Sequence, residues 1–361
     1  MKAVINVKNY DDDILTLALP LRKAALAIDE NPQKINDYFD LKAVRFLADD
    51  MFRSTVSRTQ HMEIFSYGDP GVLLALPGPS LSGIALHALG TERQITQFSQ
   101  YVKDKKRTFF AITEPTIGSD PTNIKTRLLR KNNQYYLSGE KAFVGNAAAG
   151  DLGVVFASMG DHPLSLCFVY LTPKEMQHLG VTRSSLPMYG LRGAQIGCMR
   201  FDDVFIPYEN ILGLHKNPVS RGFLALQTIF MQFRPAVGAL ALGLAQAVLE
   251  YAVENHLSVP NTLLKKHVEQ LSAVRNLLQK AALSVDHKSM DIALISMAKR
   301  EAVLAAEKCV SEMVAHISFA QLLEHPWLHK AYRDVFCFEY MEGTSGVHLG
   351  VIANLLTRSN V

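Results

Sequence analysis

The sequence predicts an α+β fold in three blocks: an N-terminal helical domain (residues 1–107), a middle antiparallel β-domain (108–215) and a C-terminal four-helix bundle (216–361). Three observations carry this reading. Apolar residues recur every three or four positions in the first and last blocks. The middle block holds short runs rich in Val, Phe, Tyr and Leu, punctuated by Gly, Asn, Asp and Pro. No helix of ordinary length separates those runs, which favours antiparallel pairing over a parallel βαβ sheet.

Each block has local support. In the first, ILTLALPLRKAALAI and LKAVRFLADDMF are periodic, and SLSGIALHALG and TERQITQFSQYV follow as two helices with Gly90-Thr91 as stop and cap. In the second, QYYLSGEKAFVGN, LGVVFAS, LSLCFVYLT and CMRFDDVFIP read as strands, with Ser138-Gly139 as a hairpin signal. In the third, PAVGALALGLAQAVLEYAVE is apolar almost all round, which describes a buried helix opening at Pro235. HVEQLSAVRNLLQKAALSVDHK and MDIALISMAKREAVLAAEKCVSEMVAH are long and periodic.

Composition narrows the function classes. The 361 residues include 37 Lys+Arg against 34 Asp+Glu, a net charge of +3, which argues against a nucleic-acid binder. A hydrophobic content of 48% with 20% charged residues is globular. The four cysteines, Cys167, Cys198, Cys309 and Cys337, form no CxxC pair and fit a reducing compartment. MKAVINVKNYDDD lacks an apolar signal region. The longest uncharged stretch, Gly71 to Gly90, contains Pro77, Gly78 and Pro79, so no membrane span is expected. These features suggest a cytoplasmic protein. His316, His325 and His329 stand in no HExxH pattern, so no metal is expected. GxGxxG, GxxxxGK[ST] and GxSxG patterns are absent.

Three segments hold candidate chemistry. Phe109 to Asp120 runs from an apolar strand into a turn with hydroxyls and Gly118, fit for a polar ring edge or a phosphate; taken alone, it reads as a surface loop. In Ser138 to Asn146, Phe143 either stacks on a cofactor ring or fills the β-domain core, and alone the core reading is favoured. In Tyr340 to Ser345, Thr344 or Ser345 caps a helix. Glu342 lies either on a solvated loop or in an apolar setting between Phe338, Tyr340 and Met341. The apolar setting would disfavour its charge and make it a stronger base.

Together these segments resemble the acyl-CoA dehydrogenase family of flavoenzymes. TEPTIGSD (Thr113 to Asp120) is similar to the family's TEPxxGSD, and SGEKAFVGN to its NGxKxWITN. GLRGAQIGCMRFDDVFIPYENILG (Gly190 to Gly213), FRPAVGALALGLAQAVLEYA and YRDVFCFEYMEGTS (Tyr332 to Ser345) match three further family strings, in order. The resemblance implies FAD as cofactor, removal of a proton α to a thioester by Glu342, and loss of the β-hydrogen to the flavin as hydride. It implies Arg234 and Gly343 near the substrate, with the base's backbone N–H helping to hold the thioester oxygen. Ile112 and Thr113 would meet the flavin's polar edge, Ser119 its phosphates, and Phe143 would replace a stacking tryptophan. Phe110, Gly118, Val144, Gly145 and Thr344 complete the implied cofactor set.

Departures from the family matter too. Gly145 replaces a threonine, Asn255, Ser258 and Val259 replace the Arg and Phe-Gly of RxxFG, HISFAQLLEHP replaces a GGxG turn, and Gly346 follows EGTS. The last three features hold the adenine half of FAD in the family, so weaker or remodelled FAD binding is expected. PGPSLSG, TFFAITEP and EYMEGTS resemble the branch acting on acyl carrier protein thioesters, as in hydroxymalonyl or aminomalonyl extender-unit formation. Alternatives are a dehydrogenase of free acyl-CoA, a flavin-free scaffold, and an oxidase or monooxygenase, the last disfavoured by Glu342. The resemblance implies a homodimer or homotetramer and names no electron acceptor. Lys103, Lys105, Lys106 and Arg107, and Lys265-Lys266, form basic clusters that each alone read as a solvated helix end, and that would speed encounter if the substrate rides on an acidic carrier.

Overall fold

The computed structural model describes residues 10–49, 54–118, 123–160 and 165–358, with only the backbone of Leu356 and Arg358. Six helices come first: α1 (Asp12–Glu30), α2 (Lys42–Asp49), α3 (Thr55–Gly68), α4 (Pro70–Ala75), α5 (Ser80–Leu89) and α6 (Glu92–Lys103). Asp11 caps α1 by accepting from the backbone of Asp13 and Ile14. Thr91 and Gln94 form the capping box that starts α6, where the sequence places a cap.

The chain then builds one seven-stranded sheet from β1 (Thr108–Ala111), β2 (Arg127–Lys131), β3 (Gln134–Val144), β4 (Leu152–Ser158), β5 (Leu166–Leu171), β6 (Val181–Ser185) and β7 (Gly197–Ile206), with the short α7 (Pro173–Met176) after β5. Its order is β1-β4-β2-β3-β7-β6, with β5 on β4. The sheet is mixed rather than wholly antiparallel. β1 runs parallel to β4, from Thr108↔Leu152 to Ala111↔Val155. The long connection 112–151, which carries the β2–β3 hairpin, returns the chain in the same direction and permits this. The hairpin turn also differs from the sequence expectation. It lies at Asn132 and Asn133, both left-handed (φ 50° and 64°), as a two-residue turn needs. Ser138-Gly139 lies inside β3, where the register with β7 shifts. Gly139 has φ +142°, and a Cβ there would stand 2.6 Å from Thr126 Cα. β6 (VTRSS) consists of mostly exposed, polar residues with no alternation, so its sequence carries no strand signal.

The last block holds α8 (Ala225–Glu254), α9 (Asn261–Asp286), α10 (Ile292–Ala315), α11 (Phe319–Glu324), α12 (Pro326–Val335) and α13 (Ser345–Arg358). Contrary to the sequence expectation, Pro235 does not open its helix: α8 begins at Ala225, after a π-helical turn over Ser220–Leu224. The apolar segment before the proline packs, with Leu226, Ile229, Met231 and Phe233 buried, so tertiary contact carries the helix past it. Gly243 of α8 lets α3 approach closely, since a Cβ there would stand 2.1 Å from Glu63 O. Helices of the first and last blocks therefore share one core, to which α1, α3, α8, α9, α10 and α12 all contribute. Ser220–Glu254 is long and apolar enough to cross a membrane, but 89% of its apolar window is buried within the protein. Two further cores fill the sheet and the seam between β1, β4, β5, α5, α6 and the start of α8.

Candidate active site

A cavity of about 1100 Å³ opens along that seam. Its walls come from the lead into α5 (Leu76 to Leu81), the end of β1 and its turn (Phe110 to Gly118), the end of β3 (Ala142 to Asn146), α8 (Phe230, Phe233, Arg234) and residues 340–344. Phe110, Ile112, Thr113, Gly118, Phe143, Val144, Gly145, Arg234, Glu342, Gly343 and Thr344 all line it. Ser119, the remaining candidate, lies outside the described residues.

The turn after β1 is fixed from inside the sheet. Lys141 is fully buried, and its Nζ donates to Ile112 O (2.7 Å) and to Glu114 Oε1 (3.0 Å). Glu114 also accepts from Lys125 N (2.7 Å) and Thr126 N (2.9 Å), and Ala142 N donates to Thr113 O (2.9 Å). Burial lowers the Lys141 ammonium to about 8, opposed by Glu114. For Glu114, burial acts upward, but Lys141 and the backbone donors outweigh it and hold its carboxyl below the usual range. The Ile112–Glu114 backbone is thus presented to the cavity rigidly.

Phe143 is 65% exposed and left-handed (φ 56°), so it belongs to the cavity wall rather than the sheet core. The core reading fails because β3 ends here: Asn146 N bonds Ala194 O, and Asn146 Nδ2 donates to Thr108 O (3.2 Å) and Leu74 O (3.3 Å). Among the described residues, apart from each glycine's own chain neighbours, no heavy atom lies within 4 Å of where a Cβ would stand on Gly118 or Gly145. An exposed aromatic face beside two open glycines fits a planar flavin ring. The positions that depart from the family's adenine contacts behave differently. Asn255 Nδ2 donates to Tyr251 O at the end of α8, and α11, which stands in place of the glycine turn, buries none of its residues.

Residues 340–344 form a further part of the wall. Glu342 is left-handed (φ 50°), a conformation that costs a non-glycine residue about 1–2 kcal/mol. Three groups hold it there. Arg234 Nε donates to Glu342 O (3.1 Å). Lys299 Nζ donates to Glu339 O (3.2 Å) and Gly343 O (2.7 Å). The Glu339 carboxylate accepts from Ser345 N (2.6 Å) and Ser345 Oγ (2.8 Å). Thr344 is the helix cap: its O and Oγ1 accept from His348 N and Val347 N. Although part of residue Glu342 remains exposed, its Oε2 is buried and has no hydrogen-bond partner among the described residues. Burial pushes its carboxyl up to about 7, with Lys299 and then Arg234 opposing. The apolar setting expected for it is only partly formed by its sequence neighbours. Phe338 is fully buried and Met341 half-buried, but Tyr340 is 78% exposed. His348 is fully buried beneath Gly343, and burial, Arg234 and Lys299 keep it neutral, near 3.

Lys299, Lys141 and His348 were not singled out from sequence. A signal existed for Lys299: it falls on the stripe Ile295, Ala298, Ala302, Val303 and Ala306, where a charged residue is rarely buried without a purpose. The basic clusters do not form a bare patch. Lys103, Lys105 and Lys106 lie in ion-pair contact with Asp49, Asp40 and Asp151, and Lys266 with Glu312. Among the described residues, no group of three or more His, Cys, Asp or Glu is placed to hold a metal.

Known proteins bear on this geometry. The family described as acyl-CoA dehydrogenase, middle domain, matches residues 109–204, and acyl-CoA dehydrogenase, C-terminal domain, matches 220–357. A probable medium-chain specific acyl-CoA dehydrogenase 2 from Caenorhabditis briggsae is 27% identical over 328 residues, covering 84% of this chain and 76% of that protein. The butyryl-CoA dehydrogenase structure from Megasphaera elsdenii superposes with TM-score 0.81 at 25% identity, over 99% of this chain and all of that one. The prolyl acyl carrier protein oxidase AnaB has the same fold, with TM-score 0.81 at 19% identity over 96% of this chain and 99% of that one. Both domain matches fall on the elements that build the cavity, and the chain belongs to the acyl-CoA dehydrogenase family of FAD-dependent oxidoreductases.

Proposed function

We propose that this protein dehydrogenates an acyl thioester, with Glu342 as the base that removes the α-proton and with the acyl group carried on an acyl carrier protein. The observation that carries the base assignment is the Glu342 carboxylate. Its Oε2 is buried and unpartnered on the cavity wall, with a proton affinity near neutrality, where a general base is both available and strong. Bound FAD supplies the two-electron acceptor for the β-hydrogen. Phe110, Ile112, Thr113, Gly118, Phe143, Val144, Gly145 and Thr344 would hold it, with Ser119 assigned by family resemblance. Arg234 fixes the Glu342 carbonyl and Gly343 gives the turn its shape, which holds in place the backbone that would meet the thioester beside the base.

The three segments that resemble the carrier-protein branch, PGPSLSG, TFFAITEP and EYMEGTS, all contribute residues to the cavity lining, which supports a tethered substrate over free acyl-CoA. The purified holoenzyme is to be mixed with matched acyl-CoA and acyl carrier protein thioesters while flavin absorbance is followed. Bleaching faster with the carrier-bound acyl group is the expected result, and faster bleaching with acyl-CoA overturns the carrier reading. Glu342→Gln is expected to keep the yellow colour and abolish bleaching; a fully active variant overturns the base.

A further inference from the structure

We propose that Lys299 is a positioning residue for the base, setting both the left-handed turn that presents Glu342 and the proton affinity of its carboxyl. The proposal rests on Glu342 being that base. Lys299 is fully buried on α10 and is not among the residues that line the cavity. Its Nζ reaches the carbonyls of Glu339 and Gly343, which bracket Glu342, while Arg234 from α8 takes the carbonyl of Glu342 itself. Three carbonyls of one turn therefore end on two buried cations. This matters because Glu342 (φ 50°) and Gly343 (φ +105°) both have positive φ, and such a turn persists only where its surroundings over-determine it.

A neutral donor would satisfy the same carbonyls at lower cost, because burying an ammonium is unfavourable even when it is hydrogen-bonded. What the charge adds is a field. Glu342 is among the groups that act on Lys299, together with Glu339, Arg234 from α8 and Glu307 about two turns along α10. His348 of α13, on which Arg234, Lys299 and Arg300 of α10 all act, is neutral and adds no competing charge. In a buried setting an ammonium favours the ionised carboxylate and so keeps the base available near neutral pH.

The test uses holoenzyme carrying Lys299→Met, Lys299→Gln or Lys299→Arg, with Glu342→Gln as reference. Two readouts are followed: the pH profile of kcat/KM, and exchange of the α-hydrogens of an acetyl thioester in D2O, which needs the base but no hydride acceptor. Met and Gln are expected to move the acid limb up by about one pH unit, which makes exchange near pH 6 about tenfold slower. KM is expected to stay within about twofold, and Arg to restore the limb. Gln keeps a donor for the carbonyls, so it separates charge from geometry if Met does not fold. A wild-type acid limb in Met or Gln, or failure of Arg to restore it, overturns the proposal. Undiminished exchange in Glu342→Gln would instead overturn the base assignment.

Discussion

Replacing Lys141 by Met tests how the flavin-facing turn is held. The change keeps most of the side-chain volume and removes the ammonium. Glu114 then loses one of three donors while keeping the two backbone N–H groups of Lys125 and Thr126. Removing one partner of a buried ion pair costs about 3–5 kcal/mol, and the two surviving donors place Glu114 at the low end. Ile112 O also loses its ammonium donor, which adds about 1 kcal/mol. The sum, about 4 kcal/mol, is a large part of an ordinary folding free energy of about 5–15 kcal/mol. The variant should therefore fold at reduced stability. Urea unfolding gives the loss, and adding Glu114→Gln should return about 2 kcal/mol by removing the uncompensated charge. Flavin dissociation should rise about tenfold or more as the Ile112–Glu114 backbone loosens. A loss below about 1 kcal/mol, or a double variant less stable than the single one, refutes this reasoning.

Five further outcomes are expected. Activity should rise with pH through about 7, because a carboxyl held up to about 7 acts as base only once ionised; a profile flat from pH 5 to 8 contradicts this. For the same group the sign for stability is opposite: its contribution is full below its unfolded range near 4.5 and fades as pH rises through about 7. Gly243→Val should prevent soluble folding, since its Cβ would stand 2.1 Å from Glu63 O; a variant with wild-type unfolding midpoint would disprove the close approach. Gel filtration should strip more FAD from this protein than from a relative that keeps the RxxFG arginine, because Asn255 here bonds Tyr251 O; equal retention counts against a remodelled adenine site. Charge reversal at Lys105 and Lys106 should leave carrier-bound turnover within about twofold, since both already face aspartates; a selective tenfold slowing would show a docking role.

Local signals in the sequence carried most of the fold and the short motifs that reach the cavity, but not the parts of its wall from α2, α3, α4 and residues 188–196. Periodicity predicted the long helices, Gly90-Thr91 marked a stop and cap where the structure begins α6, and the short motifs around Thr113, Phe143 and Glu342 fall on one cavity. What stayed hidden is long-range or tertiary. The β1–β4 pair is parallel because a whole hairpin intervenes, which strand composition cannot reveal. Pro235 sits inside α8 because burial on both sides of it outweighs the helix-breaking tendency. The Ser138-Gly139 signal was real glycine chemistry in the wrong structure, a register shift rather than a turn. The lysines that hold the site lie far from their partners in sequence, and the charge on them argued for surface.

Those two lysines make one further outcome necessary. Each cavity-facing turn is held the same way: Lys141 donates to Ile112 O, and Lys299 to Glu339 O and Gly343 O. Burial lowers both ammonium groups to about 8. Above that pH the turns are held by neutral amines, which donate weaker hydrogen bonds than ammonium groups do. Activity should therefore fall on the alkaline side of about 8, leaving a narrow bell between Glu342 and the lysines. The sign for stability runs the other way. A lysine whose folded value is depressed binds its proton more weakly in the folded state, so its contribution to stability grows as pH climbs from about 8 towards the unfolded value near 10.5. Loss of activity near pH 9 should thus come without loss of helical circular dichroism, and Lys299→Arg, which keeps its charge, should extend the alkaline limb. An alkaline limb that tracks unfolding, or one unmoved by arginine, would show that the lysines serve packing alone.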